Sequence, residues 1–395
     1  MSPGSRAPRV IVVGGGVIGC ACAAELAARG ASVTLLERHE LAAGASGRNH
    51  GLLLSPLDPA LVPMAQASAE NYEELAKNSP LPFRMDREPV GFLLVASDDD
   101  AERASGKEEA EAAAACGVPV LAVDAGEIHR LEPGLASDLV EGWLLEDARR
   151  LDPAALTVAL ALRGRRDGAE VRTATVVRSL ITDGDAVRGV VTDEGMLEGD
   201  VVVVAAGPWT PSLLRTVGVR LPISGGRGWL VHLAPQRSVV SRLVSRAGWH
   251  VVPPGNEPIP PTTAADVVDG PPEADTGTLL QPNADGTLLV GGSRQAAVTD
   301  EPEDPTVPLR LVRGAIRLAP ALAEATVLGA WWGIRPMTPD GRPIVGAVRP
   351  GLVVAAGHGA LGVILGAGTA RLVGSTVLGG DPPFDPDPFS PARFG

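Results

Sequence analysis

The sequence predicts an α/β fold of two interleaved domains, and three observations carry that prediction. The chain opens on an apolar strand, a glycine-rich turn, a helix and a second strand; apolar strands return after residue 170; β-rich stretches separate these regions. At 395 residues the chain suits two domains, on a prior of about 100 to 200 residues each.

Taken in order, 9–13 reads as strand, 17–29 as helix and 32–37 as a second strand, the start of a parallel, Rossmann-like sheet. The turn between them holds Gly14, Gly16 and Gly19 in G-x-G-x-x-G spacing, in the strand-to-helix context that a dinucleotide fingerprint requires. Gly14 permits the tight turn, Gly16 lets the backbone approach a pyrophosphate, and Gly19 lets helix and strand pack closely. Val17 and Ile18 begin the helix whose free N–H groups face the anion. Glu37, 18 residues beyond Gly19, is placed to accept hydrogen bonds from ribose hydroxyls, with Arg38 beside it, and its charge disfavours a 2′-phosphate.

Further along, 60–77 reads as helix, 89–95 as β and 98–116 as an acidic, Ala-rich helix that marks a crossing into a second domain. A helix over 151–162 starts at the Asp152-Pro153 cap pair, and strands follow at 171–180, 187–192 and 200–205. Beyond 221 the pattern is again β-rich. The Pro-rich stretch 253–272 reads as a long mobile loop that could close over a pocket, and the Pro-rich tail as irregular. The expected division is a cofactor domain from 1–85, 148–220 and 326–395, and a substrate domain with a mixed β-sheet from 86–147 and 221–325.

Composition narrows the function. With 34 Lys+Arg against 47 Asp+Glu the net charge is −13, which argues against nucleic acid as partner. Aromatics make up 3% of the chain with one Tyr, so an aromatic pocket wall must use Trp or Phe. Cys20, Cys22 and Cys116 form neither a disulfide framework nor a metal spacing, so no metal is expected and a reducing, cytoplasmic setting is favoured. The N-terminus shows no signal-peptide pattern. The apolar stretch 351–370 holds six glycines, which favours a buried strand, a turn and a close-packed helix over a membrane span.

Three further segments resemble the D-amino-acid oxidase-like superfamily of FAD oxidoreductases, which includes glycine oxidase, sarcosine oxidase and D-amino-acid dehydrogenase. The likeness runs over nearly the full length. The first segment, Gly44-Ala-Ser46-Gly-Arg48-Asn49-His50-Gly51-Leu52, is similar to the stretch that passes from the FAD phosphates, near Ser46, to the flavin, beside Asn49, His50, Gly51 and Leu52. The second, running through Ala206-Gly207-Pro208-Trp209, resembles the strand and turn that return beneath the cofactor, and Val177 or its neighbour Val176 matches the valine that reaches the adenine. The third runs through Gly333-Ile334-Arg335-Pro336 to Gly357-His358-Gly359-Ala360-Leu361-Gly362.

In relatives the arginine of that third block binds the substrate carboxylate, and the resemblance implies this role for Arg335. A planar guanidinium can grip a carboxylate bidentately. It also implies that the glycine turn at His358 offers N–H groups to the flavin's N1/O2 edge, where negative charge develops on reduction. Trp229, in Gly226-Arg-Gly-Trp229, faces the pocket or is buried in the second sheet. No cysteine lies beyond Cys116, so FAD is expected to be bound non-covalently.

The implied reaction is oxidation of a small amino acid or amine at its C–N bond, with oxygen or another electron acceptor closing the cycle. The 2-hydroxyglutarate branch shares the SGRN and HG segments, so 2-hydroxy-acid oxidation is the rival, with His50 or His358 as the base it needs. A flavin-binding subunit without catalysis is the reading from another class.

Overall fold

The computed structural model describes residues 6–78, 83–248, 276–297 and 304–394. The stretch 253–272 lies outside these described residues.

The opening strand Arg9–Val13 forms the middle of a six-stranded sheet. It pairs in parallel with Ser32–Leu36 on one side and Val201–Val204 on the other; Glu170–Arg172 and Leu352–Ala356 extend these two sides, also in parallel. Ile344–Arg349 closes one edge antiparallel to Leu352–Ala356. Because side chains alternate along a strand, Val10 and Val12 enter one core while Ile11 and Val13 enter another on the opposite face. The first core is covered by the helices Val17–Ala28, Val62–Asn78, Pro153–Arg166 and Gly362–Leu378. The second is covered by the antiparallel meander Val177–Asp183, Ala186–Thr192 and Gly195–Glu198.

The chain leaves Arg9–Val13 first to one side of the sheet and later returns on the other, so the carboxyl end of this strand is a topological switch point. In open α/β sheets the crevice at such a point takes the ligand.

A second, nine-stranded mixed sheet carries Phe92–Ser97, Val120–Asp124, Leu139–Leu145, Ser224–Ala234, Leu243–Arg246, Thr276–Pro282, Leu288–Ser293, Gln295–Ala297 and Thr326–Met337. The helix Val307–Leu318 lays Val307, Leu311, Ala315 and Leu318 on this sheet, the three-and-four spacing of one helix face.

Three expectations shift against the structure. The strand Thr326–Met337, expected within the cofactor segment 326–395, pairs along its length with Ser224–Ala234 in the second sheet, so the border falls after Met337. The strand expected over 171–180 is two, Glu170–Arg172 and Val177–Asp183, because Ala174 takes a left-handed φ of 53° and turns the chain between them. The acidic helix spans Asp100–Ala115, since Asp99 accepts N–H bonds from Ala101 and Glu102 and so caps its start.

The stretch 351–370 folds as the strand Leu352–Ala356, a glycine turn and the first half of the helix Gly362–Leu378. Among the described residues no helix is long and apolar enough to cross a membrane.

Candidate active site

One elongated cavity of about 710 Å³ runs from the switch point to the second sheet. At its first end the glycine turn is shaped by close approaches. A side chain on Gly14 would begin 2.4 Å from the Ala205 carbonyl oxygen, and one on Gly19 would begin 1.9 Å from that of Gly14. Only glycine fits either place. Gly14, Gly16, Val17 and Ile18 line the cavity; Gly19 does not, and acts by letting the helix seat on the turn.

The helix Val17–Ala28 has no side-chain cap of its own on Gly16. Ser46 Oγ accepts the Val17 N–H at 2.9 Å, fixing the Ser46 loop against the helix start. The remaining first-turn N–H groups and the positive end of the helix dipole suit a pyrophosphate. Glu37 Oε2 accepts from Gly15 N at 2.6 Å and Oε1 from His39 N at 2.9 Å, so its carboxylate is held at the cavity wall with lone pairs to spare for ribose hydroxyls. Arg38 stacks on Trp209 with its guanidinium carbon 3.9 Å from the ring centroid, and both line the cavity with Ala206, Gly207, Val176 and Val177. These residues form a cradle that could hold the adenosine half of a dinucleotide.

At the far end, Arg335 projects from Thr326–Met337 beside the cavity. Gly226, Gly228 and Gly333 share its face of the paired strands, Gly228 lying opposite Gly333 and Gly226 opposite Arg335. A side chain on Gly228 would begin 2.1 Å from Arg335 Nη1, so the guanidinium occupies the space that this glycine leaves. Nη1 donates to the Ser293 carbonyl at 3.2 Å, and among the described residues no carboxylate pairs with Arg335. Burial, and then the neighbouring Arg294, pushes its pKa down to about 10, which leaves it a cation at neutral pH. A partly buried cation that faces a cavity and has no carboxylate partner among the described residues is suited to an anionic ligand.

His50 rests against Gly291, where a side chain would begin 2.2 Å from Nε2, and its Nδ1 lies 3.0 Å from Oε1 of the buried Gln281. The Asn49 amide is taken up by its own loop, donating to the Ala45 and Ser46 carbonyls and accepting from Gly51 N. Asn49 therefore shapes the wall in which Gly51 and Leu52 also stand.

His358 differs from what a base requires. Its Nε2 lies 2.9 Å from Thr369 Oγ1, whose hydroxyl in turn points at the Met64 sulfur, and burial pushes the histidine pKa down to about 3. It is neutral at physiological pH and Nδ1 has no partner among the described residues. Gly359, Ala360, Leu361 and Gly362 follow it along the wall into the helix Gly362–Leu378, whose start, like that of Val17–Ala28, has no side-chain cap. Two helix N-termini thus face one cavity, and Tyr72 ties down the second by donating to the Val363 carbonyl at 2.9 Å.

Trp229 does both things expected of it: it packs in the second sheet's core, donating Nε1–H to Gln295 at 3.2 Å, and one edge borders the cavity. Cys20 and Cys22 are buried, their thiol pKa values pushed up by burial, and no cysteine is on the cavity wall. Among the described residues no cluster fit for a metal occurs.

Sequence reasoning missed Gln281, Gly291 and the seat that Gly228 gives Arg335. None carries a local signal; each matters only through strand pairing.

The cavity fits FAD: a dinucleotide cradle at one end, a second helix N-terminus for an electron-rich ring edge further along, and a cation beyond it. Residues 9–376 match the family of FAD dependent oxidoreductases. The glycine oxidase of Pseudomonas aeruginosa is 28% identical over 394 residues, covering 97% of this chain and 98% of the relative. The D-amino acid dehydrogenase of Rhizobium rhizogenes is 30% identical over 316 residues, covering 78% and 69%. The crystal structure of glycine oxidase from Geobacillus kaustophilus superposes with a TM-score of 0.83 at 26% identity, covering 98% of this chain and 99% of that one. The chain belongs to the FAD dependent oxidoreductase family.

Proposed function

We propose that this protein oxidises a small amino acid at its C–N bond, using non-covalently bound FAD. The reading rests on the partly buried guanidinium of Arg335, which among the described residues has no carboxylate partner and stands on the same cavity wall as the glycine turn. When bound, the cofactor supplies a hydride acceptor at flavin N5.

The residues of the chain supply the rest. Gly14, Gly16, Val17 and Ile18 hold the pyrophosphate through main-chain N–H groups, and Glu37 holds the ribose. The turn Gly359–Gly362 and the helix after it present N–H groups where negative charge gathers on the ring. Arg335 grips the α-carboxylate and so turns the Cα–H toward the ring, an orienting effect that converts binding into rate. The glycine floor around it leaves room for a small substrate. A deprotonated amine drives loss of hydride with its own lone pair, so no strong base is needed, consistent with the neutral His358. The imine product leaves and hydrolyses in water.

A 2-hydroxy acid would demand a base for its hydroxyl proton, and His50, set by Gln281, is the residue placed for it. Anaerobic mixing of the FAD-loaded protein with D- and L-amino acids, N-methyl amino acids and 2-hydroxy acids separates the readings. Bleaching of the flavin band by amino acids supports the proposal. Bleaching by hydroxy acids alone replaces it, and no bleaching by any member would leave a non-catalytic flavin-binding subunit.

A further inference from the structure

Charge on the cavity wall is lopsided. Among the described lining residues stand four arginines, Arg38, Arg48, Arg178 and Arg335, and one acidic residue, Glu37, in a chain whose net charge is −13. Arg38, Arg178 and Glu37 belong to the adenosine end, beside Trp209 and Val177. The ring end thus keeps Arg48 and Arg335, with no carboxylate between them.

These two cations share one strand face. The Arg48 Cβ lies 3.2 Å from where a side chain on Gly333 would begin, and its Nη1 donates to the Trp332 carbonyl at 3.2 Å. Arg335 stands two residues beyond Gly333, on the same side of Thr326–Met337. Arg48 is therefore anchored to the substrate-side strand and not to the glycine turn. Arg48 is exposed and among the described residues has no carboxylate partner; its guanidinium carbon lies 5.9 Å from the centre of the Trp332 ring. A single α-carboxylate satisfies one guanidinium; a wall that keeps two, in an acidic protein, concentrates ligands with two negative groups.

We propose that the substrate is a dicarboxylic amino acid, its α-carboxylate on Arg335 and its second carboxylate on Arg48. This deepens the amino-acid reading above and rests on it. No new chemical step is involved, since the second carboxylate stays intact and only sets affinity and orientation.

The test uses FAD-loaded protein and ligand pairs of equal size, one member carrying a neutral amide in place of a carboxylate. Succinate against succinamate, neither an amino acid, is read by perturbation of the flavin band; aspartate against asparagine and glutamate against glutamine are read by anaerobic flavin reduction. The dicarboxylate member should be preferred by about fivefold to tenfold, the range of a partly exposed charge-assisted pair. Arg48→Gln should reduce that ratio to about twofold or less, since the amide keeps hydrogen bonding but not charge. FAD affinity, read by fluorescence titration, should hold in the variant.

Equal binding of acid and amide overturns the proposal, as does a preference that survives Arg48→Gln. Loss of FAD affinity in Arg48→Gln with the ligand ratio unchanged overturns it too, and assigns Arg48 to the cofactor's phosphates. Preferential succinate binding without reduction by any amino acid would sustain the second anion site while removing the amino-acid reaction. Reduction by amino acids without any acid preference would do the reverse.

Discussion

At its glycine-turn end the cavity is shaped by close main-chain approaches, whereas at its Arg335 end the key side chains are seated by strands far apart in sequence. The glycine turn itself is assembled within about forty residues, strand to turn to helix to strand, and its tolerances are set by backbone approaches such as Gly19 against the Gly14 carbonyl. The second needs Thr326–Met337, Ser224–Ala234 and Leu288–Ser293 to pair before Arg335 and His50 have their places. The difference teaches that damage to the two ends should show in different observables: cofactor retention at one, substrate kinetics at the other.

The largest effect is expected from Gly19→Ala. The added carbon meets backbone that cannot move aside, so the purified protein should be colourless, with a stability loss of about 1 to 3 kcal/mol or more in urea melts. Retention of full FAD content would break the division between the ends. Next, Arg335→Ala should lower kcat/KM for carboxylate substrates about a hundredfold or more, from the loss of two charge-assisted hydrogen bonds, while flavin content per chain holds. Gly228→Ala is the sharper probe. It displaces the guanidinium without touching it chemically, so kcat/KM should fall about tenfold, less than in Arg335→Ala and again without loss of FAD.

Much of the first end was legible because the determinants of its glycine turn are local. Glycine spacing, the strand before it, the helix after it and Glu37 all lie within one βαβ unit, and a helix cap such as Asp152, which accepts from Ala155 N at 2.9 Å, is read from adjacent residues. The second end was legible only in part. Arg335 and the His358 turn stand out by resemblance, but the seat under Arg335 and the Gln281 contact to His50 arise from cross-strand neighbours, which a single sequence does not mark. The misplaced border at 326 has the same origin: a strand's sheet membership is a property of its partners.

The smallest effect concerns His358. Burial holds its folded-state pKa near 3, below the ordinary value of 6.5, so the unfolded chain binds more protons between those values. Stability is therefore full above about pH 6.5 and falls as pH drops toward 3, by roughly 1 kcal/mol between pH 7 and 5.5 for this one group. His358→Gln, which keeps a polar atom near Thr369, should flatten that part of the urea-melt profile. An unchanged slope would show that His358 does not carry it.

In the proposed reaction one FAD lies between these ends with an amino acid clamped by Arg335 at its ring. Its most direct test is anaerobic titration of the flavin band with the best amino acid substrate, wild type beside Arg335→Ala. The wild type should bleach fully, and the variant should keep its flavin but need about a hundredfold more substrate for the same rate. A wild-type protein that takes up no FAD, or equal bleaching of the two proteins, would contradict it.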